Sequence, residues 1–387
     1  MSVNFNYFIP TRLIFGPGKL DELGTMELPG GKALVVLSAG TSMKKYGYLD
    51  RVVNLLKKND VDSVIFDKIL PNPIKDHVMK GAELARREQC DFVLGLGGGS
   101  SIDSAKSIAL MAVNPGDYWD YVVNGTGKGQ PVKKGVLPIV AITTTAGTGT
   151  EADPWTVITN RETTEKIGFG TDETYPFASI IDPELMLSVP SHLTAYQGFD
   201  AFFHAAEGVM SNIATPLSDA YALKSIELLT QWLPKAVTEG SDLEARTNVA
   251  LANTISGLVE STSSCTSEHS MEHALSAFHP ELPHGAGLIM LSLSYFTRFK
   301  EICPDRMALI GKAMGEEASA DGCLTGLLKL QKSCAVDKLK MSDYGITPEE
   351  LPRLAQNAHE AMGGLFERDR KKLTVKNTEE IITKAYR

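Results

Sequence analysis

The 387-residue sequence predicts an α/β domain followed by an all-helical domain. In the first half, short apolar runs rich in β-branched residues alternate with amphipathic helical segments, as in parallel sheets built from βαβ units. In the second half, helix-period segments follow one another and strand signals are few. The pattern changes near residue 190, so we expect domains at 1–188 and 189–387.

The individual elements follow from these patterns. Four buried strands are expected at 34–37, 63–66, 92–96 and 139–143. Further extended segments are expected at 6–15, 155–159, 166–169 and 178–181, and helices at 48–58 and 74–87. The second half predicts helices at 195–211, 218–238, 244–263, 267–278, 286–299, 306–314, 326–332, 348–362 and 378–386.

Composition excludes several classes of protein. The net charge of −9 argues against a general nucleic-acid binder. No apolar run approaches the roughly 20 residues of a membrane span, and the N-terminal segment lacks the pattern of a secretory signal. Five cysteines form no C-x-x-C pair, which favours reduced thiols and a cytoplasmic location over a disulfide framework.

Three glycine- and hydroxyl-rich segments follow predicted strands, where parallel sheets bind ligands. GLGGGSSIDSAK at 95–106 opens a helix and offers free backbone N–H groups to a pyrophosphate. It departs from the standard dinucleotide fingerprint, because Ser100 stands where that motif has glycine. TTTAGTGTE at 143–151 and SAGTSM at 38–43 add hydroxyl donors. Tight turns without a ligand are the alternative interpretation.

A carboxylate and several histidines in the helical half have the spacing of metal ligands. Asp200 and His204 are four residues apart, and His269 and His273 repeat that spacing, so each pair shares a helix face. His284 follows in a Leu-Pro-His-Gly segment. Each short pattern is common without a metal, but together they favour a site for Fe²⁺ or Zn²⁺.

The order of these motifs resembles the iron-dependent (group III) alcohol dehydrogenase family, from about residue 7 to the end of the chain. The motifs that carry the resemblance are GPG at 16–18, PNP at 71–73, GGGSSIDSAK at 97–106, TTAGTGTE at 144–151, IDPEL at 181–185, GFDAFFHAAEG at 198–208 and HSMEHALSAFHPELPHG at 269–285. The resemblance implies an N-terminal dinucleotide-binding α/β domain, a C-terminal all-α metal-binding domain and a homodimer.

The resemblance also implies roles for individual residues. The family's metal ligands correspond to Asp200, His204, His269 and His284. Its histidine near the nicotinamide corresponds to His273, a candidate proton relay because imidazole titrates near neutrality. Positions that contact the nucleotide correspond to Asn72, Gly97, Gly98, Gly99, Ser100, Asp103, Thr144, Thr145, Thr148 and Lys166. The segment before His284 is one residue longer than in many members, and it contains His279, for which we expect no metal role.

Ser38 is a departure from the family pattern, because many members that use NAD carry aspartate after the first central strand. That carboxylate would bind the ribose hydroxyls and repel a 2′-phosphate. With Lys44 and Lys45 nearby, the Ser38 loop is suited to a 2′-phosphate. We therefore expect NADP to be accepted or preferred, with NAD as the alternative.

Together these features predict an NAD(P)-linked, metal-dependent alcohol dehydrogenase that interconverts a small alcohol and its aldehyde or ketone. A glycerol dehydrogenase-like polyol dehydrogenase and a non-enzymatic metal- or nucleotide-binding protein are the alternatives. A dehydroquinate synthase is disfavoured, because few basic residues flank the segment from Asp200 to His284 and its substrate is a phosphorylated carboxylate.

Overall fold

A six-stranded parallel sheet organises the first half of the chain in the computed structural model, which describes residues 4–387. The strands of the chain are β1 (Arg12–Phe15), β2 (Lys32–Ser38), β3 (Asp62–Ile69), β4 (Phe92–Gly97), β5 (Ile139–Thr143), β6 (Thr156–Asn160), β7 (Glu165–Phe169) and β8 (Ala178–Ile181). The sheet has the order β1-β8-β5-β4-β2-β3, and β6 pairs with β7 in a separate antiparallel hairpin. The central strands β4 and β5 are buried along their whole length, as their apolar sequences predict.

Helices cover both faces of this sheet. They are α1 (Ser42–Lys45), α2 (Tyr48–Lys58), α3 (Lys75–Arg87) and α4 (Gly99–Val113). Helix α4 is buried on almost every side, since it lies against both the sheet and the β6–β7 hairpin. The chain leaves β2 toward β3 on one side and returns to β4 on the other, so the sheet order switches between β2 and β4. Open α/β sheets bind their ligands at such a switch point.

The second half is helical. Its helices are α5 (Ser191–Met210), α6 (Pro216–Thr238), α7 (Leu243–Thr262), α8 (Ser267–Phe278), α9 (His284–Phe299), α10 (Pro304–Ala313), α11 (Ala320–Ser333), α12 (Leu351–Phe366) and α13 (Val375–Ala385). Helix α5 is the centre of this half: it packs on α6, α7 and α9, and fifteen of its residues are buried. The helical half has its own apolar core, which is continuous through these helices.

The two halves meet at the carboxyl edge of the sheet. The loop after β5 packs on the helical half, where Gly149 N–H donates to Asn253 Oδ1 of α7 over 2.9 Å. On the other side, Asn72 Nδ2, between β3 and α3, donates to Pro280 O over 2.7 Å. The loops that follow the central strands therefore face the helices that carry the candidate metal ligands.

The predicted fold class is confirmed, and the differences are at element ends. Helix α9 begins at His284, two residues earlier than predicted, and α11 begins at Ala320, six residues earlier. The extended segment expected at 6–15 forms a strand only at Arg12–Phe15. The boundary at 188/189 remains a prediction, and the first helix after it begins at Ser191.

The expectations about cysteines and membrane spans can be compared with the structure of residues 4–387. All five cysteines there are buried and unpaired. Within the same residues, every helix is too short or too polar to cross a lipid bilayer.

Candidate metal and nucleotide site

Three helices bring the four predicted metal ligands together. Asp200 and His204 lie one turn apart on α5, His269 lies in the first turn of α8, and His284 is the first residue of α9. Asp200 Oδ1 is close to one Nε2 atom of each imidazole, at 3.4 Å from His204, 3.7 Å from His269 and 3.3 Å from His284. The four ligand atoms all lie within 4.8 Å of one another.

These distances fit one small cation. Ligands at bonds of about 2.1 Å in a tetrahedron are about 3.4 Å apart, close to the separations from Asp200 Oδ1. Asp200 Oδ1 and His269 Nε2 are buried and have no hydrogen-bond partner among residues 4–387. Buried polar atoms are rarely left unpaired, so this pair is suited to bind a cation. One carboxylate and three imidazoles are suitable ligands for Fe²⁺ or Zn²⁺.

The electrostatics of the site favour positive charge. Burial alone would raise the pKa of Asp200, but His204 and His284 hold the pKa of that carboxyl well below its ordinary value. Burial would likewise lower the pKa of His204, yet Glu260 and Asp200 raise it above its ordinary value. A pocket that stabilises imidazolium charge in this way also stabilises a divalent cation.

Each ligand imidazole also meets a glutamate at its other nitrogen. His269 Nδ1 hydrogen bonds to Glu207 Oε1, and His284 Nδ1 hydrogen bonds to Glu272 Oε2. His204 Nδ1 lies 2.7 Å from Glu260 Oε1. The structure therefore adds three acidic residues that the sequence analysis did not single out. Glu207 and Glu272 follow His204 and His269 by three residues, a spacing that a helix-face search would have found, whereas Glu260 is on another helix.

His273 lies beside the ligands without facing Asp200. Its ring centroid is 5.4 Å from that of His284 and 6.4 Å from that of His269. Burial, with the positive charges of Lys166 and His284, takes the pKa of His273 well below its ordinary value. The imidazole is therefore neutral at pH 7, and its buried Nδ1 has no hydrogen-bond partner in the described chain. The ring therefore does not titrate near neutrality in this environment, and its role as a proton relay stays a prediction.

His279 is outside the metal cluster. It caps the C-terminal end of α8, and its Nε2 atom lies 3.3 Å from Glu350 Oε2. The side chain thus joins the loop before His284 to the start of α12.

The glycine loop and the hydroxyl loop form one surface. Thr144 N–H donates to Gly97 O over 2.9 Å. A Cβ atom on Gly98 would lie 2.8 Å from Thr145 Oγ1, and one on Gly99 would lie 2.4 Å from Thr148 Cγ2. Only glycine permits this approach. The loops lie at the N-terminal end of α4, where unpaired N–H groups and the helix dipole attract a pyrophosphate.

Asp103 and Lys106 support these loops from inside. Asp103 accepts hydrogen bonds from Thr150 Oγ1 over 2.7 Å and from Val157 N–H over 2.9 Å. The Lys106 ammonium is fully buried and lies 3.2 Å from Asp153 Oδ1. Both Asp103 oxygens are thus already bonded within the protein, so its contacts indicate an indirect effect on the nucleotide.

The remaining predicted nucleotide residues lie on β2, α4, β7 and the loop before α3. Ser38 ends β2, half-buried, and the nearby Lys44 is paired with Asp67 at 2.5 Å. Ser100 donates its hydroxyl to Pro71 O, which links the glycine loop to the loop of Asn72. Lys166 reaches from β7 to α8, where its ammonium lies 3.3 Å from Glu272 Oε2. Lys166 therefore contacts Glu272, the carboxylate beside His284, which the sequence alone does not indicate.

Comparison with known proteins agrees with this geometry. Residues 10–183 match the family described as iron-containing alcohol dehydrogenase, and residues 194–386 match the C-terminal part described as Fe-containing alcohol dehydrogenase family. An NAD-dependent methanol dehydrogenase from Bacillus methanolicus is 33% identical over 365 residues, 92% of this chain and 93% of that protein. A 1,3-propanediol dehydrogenase from Klebsiella pneumoniae is 34% identical over 369 residues, 92% of each chain.

Solved structures give the same result. The crystal structure of an archaeal halo-thermophilic Red Sea brine pool alcohol dehydrogenase bound to NZQ superposes with a TM-score of 0.95 at 33% identity, over 100% of both chains. That of the NADH-dependent butanol dehydrogenase A from Thermotoga maritima superposes with a TM-score of 0.90 at 29% identity, over 100% of this chain and 99% of that one. The chain therefore belongs to the iron-containing alcohol dehydrogenase family and is an enzyme of the alcohol dehydrogenase class.

Proposed function

We propose that the enzyme interconverts a small primary alcohol and its aldehyde, with Asp200, His204, His269 and His284 holding one divalent metal ion beside a nicotinamide ring. The convergence of Asp200 Oδ1 and three imidazoles, beside two loops suited to a pyrophosphate, carries the proposal. Fe²⁺ is the expected metal, and Zn²⁺ fits the same ligands. When bound, the metal supplies Lewis acidity toward the substrate oxygen, and the nicotinamide supplies hydride transfer.

The chain's own residues have three tasks in this reaction. The loops at Gly97–Ser100 and Thr144–Thr148 bind and orient the dinucleotide. Buried helices around Asp200 exclude water from the reacting atoms. His273, neutral and with Nδ1 unpartnered, accepts the hydroxyl proton or the hydrogen bond that precedes its transfer.

A substrate panel tests the proposed reaction. The names of the relatives suggest methanol, 1,3-propanediol and butanol, each with its aldehyde, and glycerol represents the polyol alternative. Metal-stripped protein is reconstituted with Fe²⁺ or Zn²⁺, and NAD(P)H absorbance is followed. We expect turnover of short alcohols that requires the metal. Equal turnover after chelation contradicts the proposal, and metal binding without turnover of any substrate favours a non-enzymatic binding protein.

Cofactor choice is a separate part of the proposal: the enzyme uses NAD and also accepts NADP. The support is Ser38 at the end of β2, where no carboxylate of its own repels a 2′-phosphate, together with the exposed Lys45. Asp67 is nearby, but Lys44 at 2.5 Å and Lys68 at 3.1 Å neutralise it.

The variant Ser38→Asp tests this cofactor assignment. It should lower kcat/KM for NADP by about tenfold or more and leave kcat/KM for NAD within a few-fold, since a like charge near the 2′-phosphate costs about 1.4 kcal/mol or more. Ser333→Asp, at an exposed position of α11 in the helical half, serves as the control. Strong preference of the unmodified enzyme for NAD would contradict NADP acceptance.

We also propose a homodimer in the cytoplasm. Three aromatic side chains near the edge strand β1 are exposed: Phe5, Tyr7 and Phe8, at 56%, 45% and 47%. Such a patch beside an open strand edge favours pairing with a second copy. Light scattering after gel filtration tests this, and a monomer at micromolar concentration would contradict it.

A further inference from the structure

The nitrogen of each candidate metal-ligand histidine that points away from Asp200 faces a glutamate carboxylate. Glu207 contacts His269, Glu272 contacts His284, and Glu260 contacts His204. Glu207 and Glu272 are fully buried, and the Glu260 side chain is 14% exposed. An isolated buried carboxylate is costly, so two fully buried carboxylates and a third, largely covered one around a single cluster require a common explanation.

We propose that Glu207, Glu260 and Glu272 are positioning residues that fix the three imidazoles in the tautomer presenting Nε2 to the metal. This inference rests on the ligand set of the proposed function. An ionised carboxylate only accepts hydrogen bonds, so the Nδ1 atom that faces it must carry the proton. The proton on Nδ1 leaves the Nε2 lone pair free, and all three Nε2 atoms face Asp200 Oδ1.

Glu207 is held in place by Thr266, which donates hydrogen bonds to its carboxylate. Its second oxygen, Oε2, accepts hydrogen bonds from Thr266 N–H over 2.7 Å and from Thr266 Oγ1 over 2.8 Å. These bonds fix the plane of the carboxylate and leave Oε1 for His269. One oxygen of Glu207 is therefore held by Thr266, while the other contacts His269.

Glu272 and the ammonium of Lys166 both lie beside the Nδ1 atom of His284. Lys166 Nζ lies 3.4 Å from His284 Nδ1 and 3.3 Å from Glu272 Oε2. An ammonium only donates hydrogen bonds, so Lys166 alone would favour the tautomer with Nδ1 unprotonated and Nε2 blocked by a proton. The closer carboxylate prevents this. Loss of Glu272 should thus be more damaging than loss of either other glutamate, and removal of Lys166 should compensate.

Glu268 offers a matched control. It is fully buried and adjacent to His269 on α8, but neither of its oxygens has a hydrogen-bond partner among residues 4–387. A substitution there changes a buried carboxyl close to the site without touching an imidazole nitrogen. The proposal therefore predicts that Glu268 is not needed for metal binding.

Titration of the metal-free protein with Co²⁺ tests the proposal, because visible absorption of bound Co²⁺ reports ligand geometry independently of turnover. Glu207→Gln and Glu260→Gln should raise the Kd for Co²⁺ about 10- to 100-fold, and Glu272→Gln should have the largest effect. Glu268→Gln should leave the Kd and the absorption bands unchanged. Adding Lys166→Met to Glu272→Gln should recover part of the affinity, which a purely structural role of Glu272 would not produce.

Two results would overturn the proposal: unmodified Co²⁺ affinity and bands in Glu207→Gln and Glu272→Gln, or an equal loss of affinity in Glu268→Gln. Circular dichroism and Tm establish that each variant is folded. Glu260→Gln, partly exposed near the end of α7, is the substitution least disruptive to packing and keeps the test decisive if a buried variant does not fold. Failure of the unmodified protein to bind Co²⁺ would instead contradict the proposed ligand set.

Discussion

Asp200 and His273 are both buried beside His269 and His284, but their side chains have different neighbours. Asp200 Oδ1 is surrounded by three Nε2 atoms, whereas His273 is near the rings of His284 and His269 and makes no contact with Asp200 Oδ1 in the described chain. The first arrangement is that of a metal ligand. The second fits the proposed role of a group that contacts the substrate and not the metal.

Substitution should separate these two roles. Asp200→Ala should remove most bound metal, because three neutral imidazoles lose the anionic ligand that their arrangement surrounds. His273→Ala should keep about one metal per chain and lower kcat by about 100-fold or more, the usual effect of removing a proton-transfer group. Metal content by mass spectrometry and steady-state rates measure both. Loss of metal in His273→Ala, or an unchanged rate, would contradict the assignment.

At the scale of elements, a buried ion network joins α4 to the loop before β6. Lys106 Nζ donates to Thr150 Oγ1 over 2.7 Å and to Trp155 O over 2.8 Å, and it pairs with Asp153. Because Asp103 and Asp153 are also buried, this single ammonium is the counter-charge for two carboxyls. The network holds the hydroxyl loop against the glycine loop.

Lys106→Met should therefore destabilise the protein strongly. Removing one partner of a buried ion pair leaves the other uncompensated, which costs about 3–5 kcal/mol of unfolding free energy. Urea denaturation measures the change. Lys332→Met, at an exposed position of α11, is the control and should change stability by less than about 0.5 kcal/mol. Similar stabilities for the two variants would show that the network is unimportant.

The same network gives a pH dependence. Burial raises the pKa of Asp103 to about 6 from its ordinary value of 3.8, although Lys106 opposes the shift. Between these values the folded protein binds a proton that the unfolded chain has released, so the free energy of unfolding falls as the pH rises through this window. Above pH 6 the contribution of Asp103 is constant.

Asp103→Asn tests this titration. The variant should show a shallower fall in stability between about pH 4 and 6 than the unmodified protein, because one titrating group has been removed. Denaturation at several pH values measures the slopes. Parallel curves for both proteins would place the titration elsewhere.

Sequence patterns predicted the elements well where periodicity was strong, and they failed where the signal depends on tertiary contact. Strand β5 lies where its apolar run predicts, and the i,i+4 spacing placed Asp200 and His204 on one face of α5. Glu207 and Glu272 stand three residues after His204 and His269, a pattern that was present but not used, whereas Glu260 was missed because it reaches His204 only through tertiary packing. The neutral state of His273 was missed for the same reason, since it results from burial and from the charge of Lys166.

At the scale of the whole molecule, the two halves are tied at the loop that precedes His284. Asn72 Nδ2 donates to Pro280 O over 2.7 Å and to Leu282 O over 3.4 Å. Pro71, in the same loop as Asn72, accepts a hydrogen bond from the Ser100 hydroxyl at its carbonyl oxygen. These contacts thus connect the glycine loop to the segment that precedes the candidate metal ligand His284.

Asn72→Ala should loosen this connection. Loss of the amide should cost about 1 kcal/mol and increase hydrogen exchange of the segment 279–284, which would weaken metal binding a few-fold. Asn248→Ala, which removes a hydrogen bond of 2.9 Å within α7, is the matched control and should leave that segment unchanged. Unaltered exchange at 279–284 in the Asn72 variant would contradict a tie between the halves.

The position of the metal tests the central claim most directly. Anomalous diffraction from crystals of the Zn²⁺-loaded protein should give one strong peak, about 2.1 Å from Asp200 Oδ1 and from the Nε2 atoms of His204, His269 and His284. A second group of possible ligands, His204, Glu260 and Cys265, is close enough to serve as the alternative. A peak among those three atoms, with Asp200 unliganded, would contradict the account.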